Sequence, residues 1–254
     1  MNLLEVSGIT VCYGNVDVIC DVSFHVKKGS WLMVVGPNGA GKSTIIKAVS
    51  KGVPYTGEIL FNGRNIDRIM QKEYARKVGV LSQSHTVGYG FTVEEAVRMG
   101  RYAHRKSTFS DAGKDDEEKV DYAIHTTGLE CSKHKSVLEL SGGELQRTFL
   151  AQVLAQDPEL ILLDEPVNHL DLVYQKLIME LMQDWTRKKD RTIVSVVHDL
   201  SLAKAYGTDA LLMNEGRSVA FGEIDTILTE NNLNLVYDMD VSAWNRSLLA
   251  QWQS

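Results

Sequence analysis

Trp31-Leu-Met-Val-Val-Gly36-Pro-Asn-Gly-Ala-Gly-Lys-Ser-Thr44 is the stretch that decides the fold. Trp31–Val35 is five apolar residues in a row, the pattern of a strand buried on both faces. A glycine-rich loop, Gly36–Gly41, follows it, and Ser43–Lys51 then has helical character. Gly36–Thr44 fits G-x-x-x-x-G-K-[ST], between a strand and a helix as that motif requires. Glycines at these positions let backbone N–H groups converge on phosphate oxygens without side-chain obstruction. The helix that opens near Lys42 adds the positive end of its dipole. The cradle is therefore expected to comprise Gly36, Pro37, Asn38, Gly39, Ala40, Gly41, Lys42, Ser43 and Thr44. Lys42 is expected to reach β and γ phosphates, and Ser43 to ligate Mg²⁺.

Working outward, strands and helices alternate. Residues 2–7 and 17–26 read as strands, the second with Val16, Val18, Cys20, Val22, Phe24 and Val26 at period two. Glu58–Phe61, Val78–Leu81, Leu160–Leu163 and Thr192–Val197 read as further short strands. Helices are expected over Thr92–Arg101, Asp115–Thr127 and near Leu170–Asp184. Ala210–Met213 and Ser218–Phe221 read as late strands around the turn Asn214-Glu215-Gly216. The alternation implies an α/β fold with a parallel core sheet. Residues 84–157 interrupt it, are mostly helical, and read as a helical subdomain inserted into that core. One domain is expected over residues 1–241, with a short tail over 242–254. Asp111–Lys119 (DAGKDDEEK) reads as an exposed charged stretch and a helix start.

Two further features point to phosphate chemistry. Leu160-Ile-Leu-Leu-Asp164-Glu165-Pro is an apolar strand ending in two acids, which should emerge at the carboxyl edge of the sheet, where ligands bind in open α/β folds. Asp164 is placed to hold Mg²⁺, directly or through water, and Glu165 to orient and deprotonate an attacking water. His198 ends a second buried strand and could hydrogen-bond a γ-phosphate. Leu140-Ser-Gly-Gly-Glu144 is a second glycine loop before a helix expected over Leu145–Gln156. Ser141, Gly142, Gly143 and Glu144 could form another phosphate site at that helix N-terminus, or Ser141 could simply cap the helix. Two half-sites on one chain suggest a dimer in which each subunit completes the other's cradle.

Composition sets outer bounds. The chain has 254 residues, 44% hydrophobic and 24% charged, enough to bury an ordinary globular core. Its net charge of -6 argues against a surface that coats nucleic acid. Cys12, Cys20 and Cys131 have no C-x-x-C spacing and read as idle thiols in a reducing compartment. MNLLEVSGITVCYG lacks a basic segment and a long apolar run, so no signal peptide is expected. No stretch approaches the roughly 20 apolar residues of a membrane span. His85, His104, His125 and His134 show no metal-ligand spacing. A soluble, cytosolic protein is expected, reaching a membrane only through a partner.

Together these motifs resemble the ATP-binding cassette (ABC) family of ATPases, over nearly the whole chain. The resemblance rests on GPNGAGKST at 36–44, Gln83 after Val78–Leu81, LSGGE at 140–144, LILLDEP at 160–166, NHLD at 168–171, and His198. It implies a P-loop core with a parallel sheet, an N-terminal antiparallel β subdomain and an inserted helical subdomain. It also implies a head-to-tail homodimer that sandwiches two ATP molecules between one subunit's P-loop and the other's LSGGE. Tyr13 matches the aromatic that stacks on adenine. Gln83 matches the residue that touches Mg²⁺ or the attacking water, and Asn168–Asp171 the loop that communicates across the dimer.

Residues 91–104, 141–175 and 221–241 resemble more finely the ATPases of iron-chelate and cobalamin importers. In that subfamily the homodimer drives a membrane permease fed by an extracytoplasmic solute-binding protein. The resemblance places the chain at the cytoplasmic face of the membrane, with ATP and Mg²⁺ as cofactors and no nucleic acid partner. Val167 stands where threonine or serine is common. Arg101, His104, Arg105 and Lys106 are either solvated surface or a permease contact. Zinc or manganese import, export, and a non-transport ABC role are the alternative readings.

Overall fold

The computed structural model describes residues 1–82, 88–105, 113–168, 170–188 and 191–252. The chain forms two compact units, Met1–Asn65 with Ser195–Ser254, and Ile66–Val194.

The first unit opens with β1 (Asn2–Tyr13), β2 (Val16–Lys27), β3 (Trp31–Val35), α1 (Lys42–Val49), β4 (Thr56–Phe61) and the short β5 (Arg64–Asn65). An antiparallel sheet has the order β2-β1-β4-β5. β1 is twice as long as the strand expected over 2–7. Gly8, a breaker in the sequence, instead takes a left-handed φ of 57° and shifts the register between Val6 and Ile9. It acts as a bulge, and Ile9 resumes the pairing opposite Val22 beyond it. Gly57 lies against the same bulge, since a Cβ there would meet the Gly8 carbonyl oxygen at 2.4 Å.

The second unit carries α2 (Gln71–Lys77), β6 (Val78–Leu81), α3 (Val93–Met99), α4 (Lys114–Thr126), α5 (Gly142–Ala155), β7 (Leu160–Asp164) and α6 (Leu172–Thr186). β6 and β7 pair in parallel, Val78 opposite Leu160 through Leu81 opposite Leu163. Between these two strands the described residues form helices and turns, with a single bridge from Thr92 to Ser136. α3 starts at a capping box between Thr92 and Glu95.

β8 (Thr192–Val196) spans the boundary of the units. The first unit then closes with α7 (Leu200–Tyr206), β9 (Asp209–Asn214), β10 (Arg217–Glu223), α8 (Ile224–Ile227), α9 (Glu230–Tyr237) and α10 (Val241–Ala250). The larger sheet has the order β10-β9-β3-β8-β7-β6. β3, β7 and β8 are buried at every position, which is why they read as near-continuous apolar runs, broken at Thr192, Ser195 and the terminal Asp164, and not as an alternation. Trp31 donates its indole N–H to Ser195 Oγ at 2.7 Å, satisfying the polar atom of a fully buried ring. Glu215 and Gly216 both have positive φ and close the β9–β10 hairpin as a two-residue turn.

One expectation needs correction. Arg101 is not a surface residue: it is 4% exposed. Its guanidinium bonds Asp116 at 2.7 Å, Asp115 at 3.5 Å and the Ala155 carbonyl at 3.0 Å. Part of the charged run 111–119 is thus an internal counterion for Arg101, and Asp116 is largely shielded from solvent. His104 is tied to the Gln156 carbonyl at 2.9 Å, while Lys106 lies outside the described residues. Residues 242–250 belong to α10, which starts at Val241. The three cysteines are unpaired. Among the described residues, no helix is long and apolar enough to cross a membrane.

Candidate functional site

The glycine cradle lies in the first unit, at the end of β3 and the start of α1. Gly36, Gly39 and Gly41 have φ of 147°, 80° and 92°, a backbone course that L side chains resist. At two of them the fold also forbids a Cβ. It would meet the Met213 carbonyl oxygen at 2.2 Å from Gly36, and the Val18 carbonyl oxygen at 2.8 Å from Gly41. At Gly39 there is open space within 4 Å. The loop folds on itself through Ala40 N–H to the Pro37 carbonyl at 3.3 Å and Thr44 N–H to the Gly41 carbonyl at 3.0 Å. Pro37 is half-buried and Asn38 exposed.

Gly41 is the N-cap of α1 and gives the helix no side-chain cap. Lys42 is 5% exposed, yet its ammonium donates to the Gly36 and Pro37 carbonyls at 2.8 Å each. A buried cation held by loop carbonyls, above an uncapped helix start, fits an anion such as a polyphosphate. Ser43 is half-buried and Thr44 buried. Tyr13 ends β1 and is 45% exposed. His198 follows β8 and is exposed, and the next residue, Asp199, caps α7 by accepting from Ser201 and Leu202 N–H.

The acids lie in the second unit. Asp164 is the last residue of β7 and 5% exposed. Glu165 follows with a φ of 55°, a left-handed conformation costly for a non-glycine residue and typical of functional turns. Its carboxylate accepts a short hydrogen bond from the Asn168 side chain. Asp171 caps α6, accepting from Tyr174 N–H at 3.0 Å. Gln83 and His169 lie outside the described residues.

The second glycine loop belongs to the same unit. The helix begins at Gly142, three residues earlier than expected, so Gly142, Gly143 and Glu144 form its first turn. Ser141 is the N-cap in a full capping box. Its hydroxyl accepts from Glu144 N–H at 3.3 Å and donates to Glu144 Oε2 at 2.8 Å. The Ser141 N–H also donates to that carboxylate at 3.0 Å, and Ser132 to the other oxygen at 2.9 Å. The Ser141 backbone bond first, and then the two serine hydroxyls, hold the Glu144 carboxyl down at about 2. Sequence reasoning missed how this loop meets the acidic turn: Gln146 donates to the Pro166 carbonyl at 3.1 Å, and Arg147 stacks over the Tyr174 ring at 4.6 Å. Gln146 sits five residues after the capping serine, a spacing that carries no signal by itself.

Among the described residues, no group of three or more His, Cys, Asp or Glu is placed to hold a metal ion. Ser43 and Asp164 each carry an oxygen donor of the kind Mg²⁺ takes.

Residues 19–168, more than half of the chain, match the family model described as ABC transporter. The uncharacterised ABC transporter ATP-binding protein YvrA of Bacillus subtilis is 37% identical over 241 residues, 94% of this chain. The chain spans about half the length of that relative, 54%. The ferric enterobactin transport ATP-binding protein FepC of Escherichia coli is 36% identical over 232 residues, covering 91% of this chain and 85% of FepC. Among solved structures, one described as a metal-chelate type ABC transporter in an inward-facing conformation superposes with a TM-score of 0.81. It is 27% identical, over 94% of this chain and 90% of that one.

Proposed function

Because the chain belongs to the ABC transporter family and is an ATPase of that family, we propose that it powers an importer of metal chelates. Ferric siderophores, haem and cobalamin are the solute class. The observation that carries the nucleotide half of this reading is the preformed cradle, with Lys42 buried and its ammonium held by the Gly36 and Pro37 carbonyls. The solute class is supported by the likeness to FepC and to the metal-chelate type transporter.

In this reading Lys42 exchanges the loop carbonyls for β- and γ-phosphate oxygens, and the Gly36–Thr44 amides surround the phosphates. Ser43, Asp164 and Gln83 would hold Mg²⁺, which when bound would neutralise phosphate charge. Glu165 takes a proton from water as the water oxygen bonds to the γ-phosphorus. The bond from that phosphorus to the bridging oxygen breaks, and ADP leaves. His198 hydrogen-bonds the γ-phosphate, and Tyr13 stacks on adenine. Ser141, Gly142, Gly143 and Glu144 of a second copy close the site in a head-to-tail homodimer. Dimer closure on ATP and reopening after hydrolysis drive permease subunits, with the chain peripheral at the cytoplasmic face of the membrane. A solute-binding protein acts indirectly, through the permease.

The test is ATP hydrolysis in proteoliposomes holding this chain with its permease. Addition of a ferric-chelate-loaded binding protein is expected to stimulate phosphate release. Hydrolysis that ignores both permease and loaded binding protein would keep the ATPase and discard chelate import.

A further inference from the structure

We infer that Gln146 is a positioning residue for Glu165: from the helix of the second glycine loop, it holds the turn that aims the carboxylate. The inference rests on the reading of Glu165 as the base, and it adds a residue to which that reading gives no role.

Glu165 needs neighbours to keep its aim. Its φ of 55° is unfavourable for a non-glycine residue and persists only where the surroundings over-determine it. Asn168 supplies two restraints from within the turn. Its backbone N–H donates to the Glu165 carbonyl at 3.3 Å, and its side-chain amide donates to the Glu165 carboxylate. The chain between them is held from outside. Gln146 Nε2 donates to the Pro166 carbonyl at 3.1 Å, across 20 residues of sequence. A carbonyl oxygen only accepts, so the amide nitrogen of Gln146 is the atom that faces it. Pro166 is buried, and its ring fixes φ. With its carbonyl also pinned, the chain that leaves Glu165 has little freedom to turn.

Gln146 shares its side of α5 with two other contacts. Gly143, Gln146 and Arg147 stand at i, i+3 and i+4, which is one face of a helix. All three meet the acidic turn or the helix it leads into. A Cβ on Gly143 would lie 3.6 Å from Leu170 Cδ2 and 3.9 Å from Tyr174 Cδ2. Arg147 is buried, stacks over the Tyr174 ring at 4.6 Å, and donates to the Thr127 and Gly128 carbonyls at 3.0 Å each. From the far side, Gln175 donates to the Leu170 carbonyl at 3.0 Å. Arg147 and Tyr174 thus fix α5 against α6, and Gln146 is the polar contact that reaches the turn itself. All of these residues lie in the second unit.

The chemistry asks for such a restraint. A general base works only when its oxygen is aimed at the proton it takes, and a misplacement of about 1 Å can cost about 10²-fold in rate. Without the Gln146 contact, Asn168 still holds the carboxylate, but the chain beyond Glu165 is freed. The turn can then relax towards an ordinary φ and swing the carboxylate off its line. Gln146 acts through the backbone of the turn, so its amide should matter for the chemical step and little for nucleotide binding.

The test uses the full chain, with titration of a fluorescent ATP analogue, hydrolysis of radiolabelled ATP and thermal unfolding. Gln146→Met keeps the length and loses the donor. Gln146→Glu keeps the shape and turns an acceptor towards the Pro166 carbonyl. Both are expected to lower kcat about tenfold, with KM and nucleotide Kd within about twofold of wild type and Tm unchanged. The deciding readout is the same pair of substitutions in a Glu165→Gln background. There the aim of the side chain no longer matters, and each should lower the residual rate less than about twofold. An equal fractional loss in both backgrounds would overturn the inference. So would an unchanged kcat in either single variant, a loss confined to KM or Kd, or a loss that only follows a fall in Tm. Glu165→Gln alone tests the underlying reading separately. If it turns over like wild type, Glu165 is not the base, and Gln146 has nothing to position.

Discussion

The two glycine loops, Gly36–Thr44 and Leu140–Glu144, look alike in sequence and are built on opposite principles. In the first, the helix start has no side-chain cap, and two glycines are enforced by contact with the Met213 and Val18 carbonyls. In the second, Ser141 and Glu144 satisfy the helix start within the chain, and a Cβ at Gly142 would meet nothing within 4 Å. The first loop leaves hydrogen-bonding capacity open and needs glycine for its own fold. The second is internally satisfied and does not need glycine at 142 to fold, so a requirement for glycine there would have to come from what approaches it.

That contrast can be broken by mutation. The largest effect is expected for Gly36→Ala, which combines a backbone clash with an unfavourable φ. It should cost more than about 3 kcal/mol, seen calorimetrically as a Tm drop of about 6 °C or more. Gly142→Ala should leave Tm unchanged or slightly raised, because alanine favours a helix start in open space. If it also abolishes turnover, the glycine serves a partner surface; full activity would dissolve the contrast. Next, Glu165→Gln should retain ATP binding and lose about 10²–10³ in phosphate release. Wild-type turnover in that variant would remove Glu165 from the role of base.

Smaller effects sharpen the second loop. Ser141→Ala removes the cap and should cost about 1 kcal/mol by denaturant titration. Finally, the Glu144 carboxyl sits at about 2, below its ordinary 4.5, so its support of the cap is complete above pH 4.5. That support is lost as pH falls from 4.5 towards 2. A carboxyl ¹³C titration of Glu144 checks the midpoint, and one near 4.5 would mean the capping box is not formed in solution.

Much of the candidate site was proposed from sequence because its residues lie in local motifs. A strand that must be buried on both faces is apolar throughout, so Trp31–Val35 and Leu160–Leu163 declared themselves, and the residues following each were candidates by position. Long-range pairing was not readable. Asp116 looked like part of a solvated run, as Asp115 beside it still is, because nothing in its neighbourhood shows Arg101, some fifteen residues away, turning inward to meet it. Gly8 looked like a strand end, since a bulge depends on the partner strand that continues past it. The helix over Gly142–Ala155 starts three residues before the expected Leu145, at the Ser141–Glu144 capping box, a side-chain geometry that offsets the low helix propensity of the two glycines.

The sequence by itself determined the phosphate-binding chemistry, the α/β alternation and the family, because motif spacing and apolar runs are local and survive without coordinates. Only the tertiary structure decided that Arg101 is a buried cation paired with Asp116 and that the second loop is already capped. The physical reason is the same in each case. A hydrogen bond or ion pair between distant residues depends on where the folded backbone brings them, and side-chain type alone does not record that place.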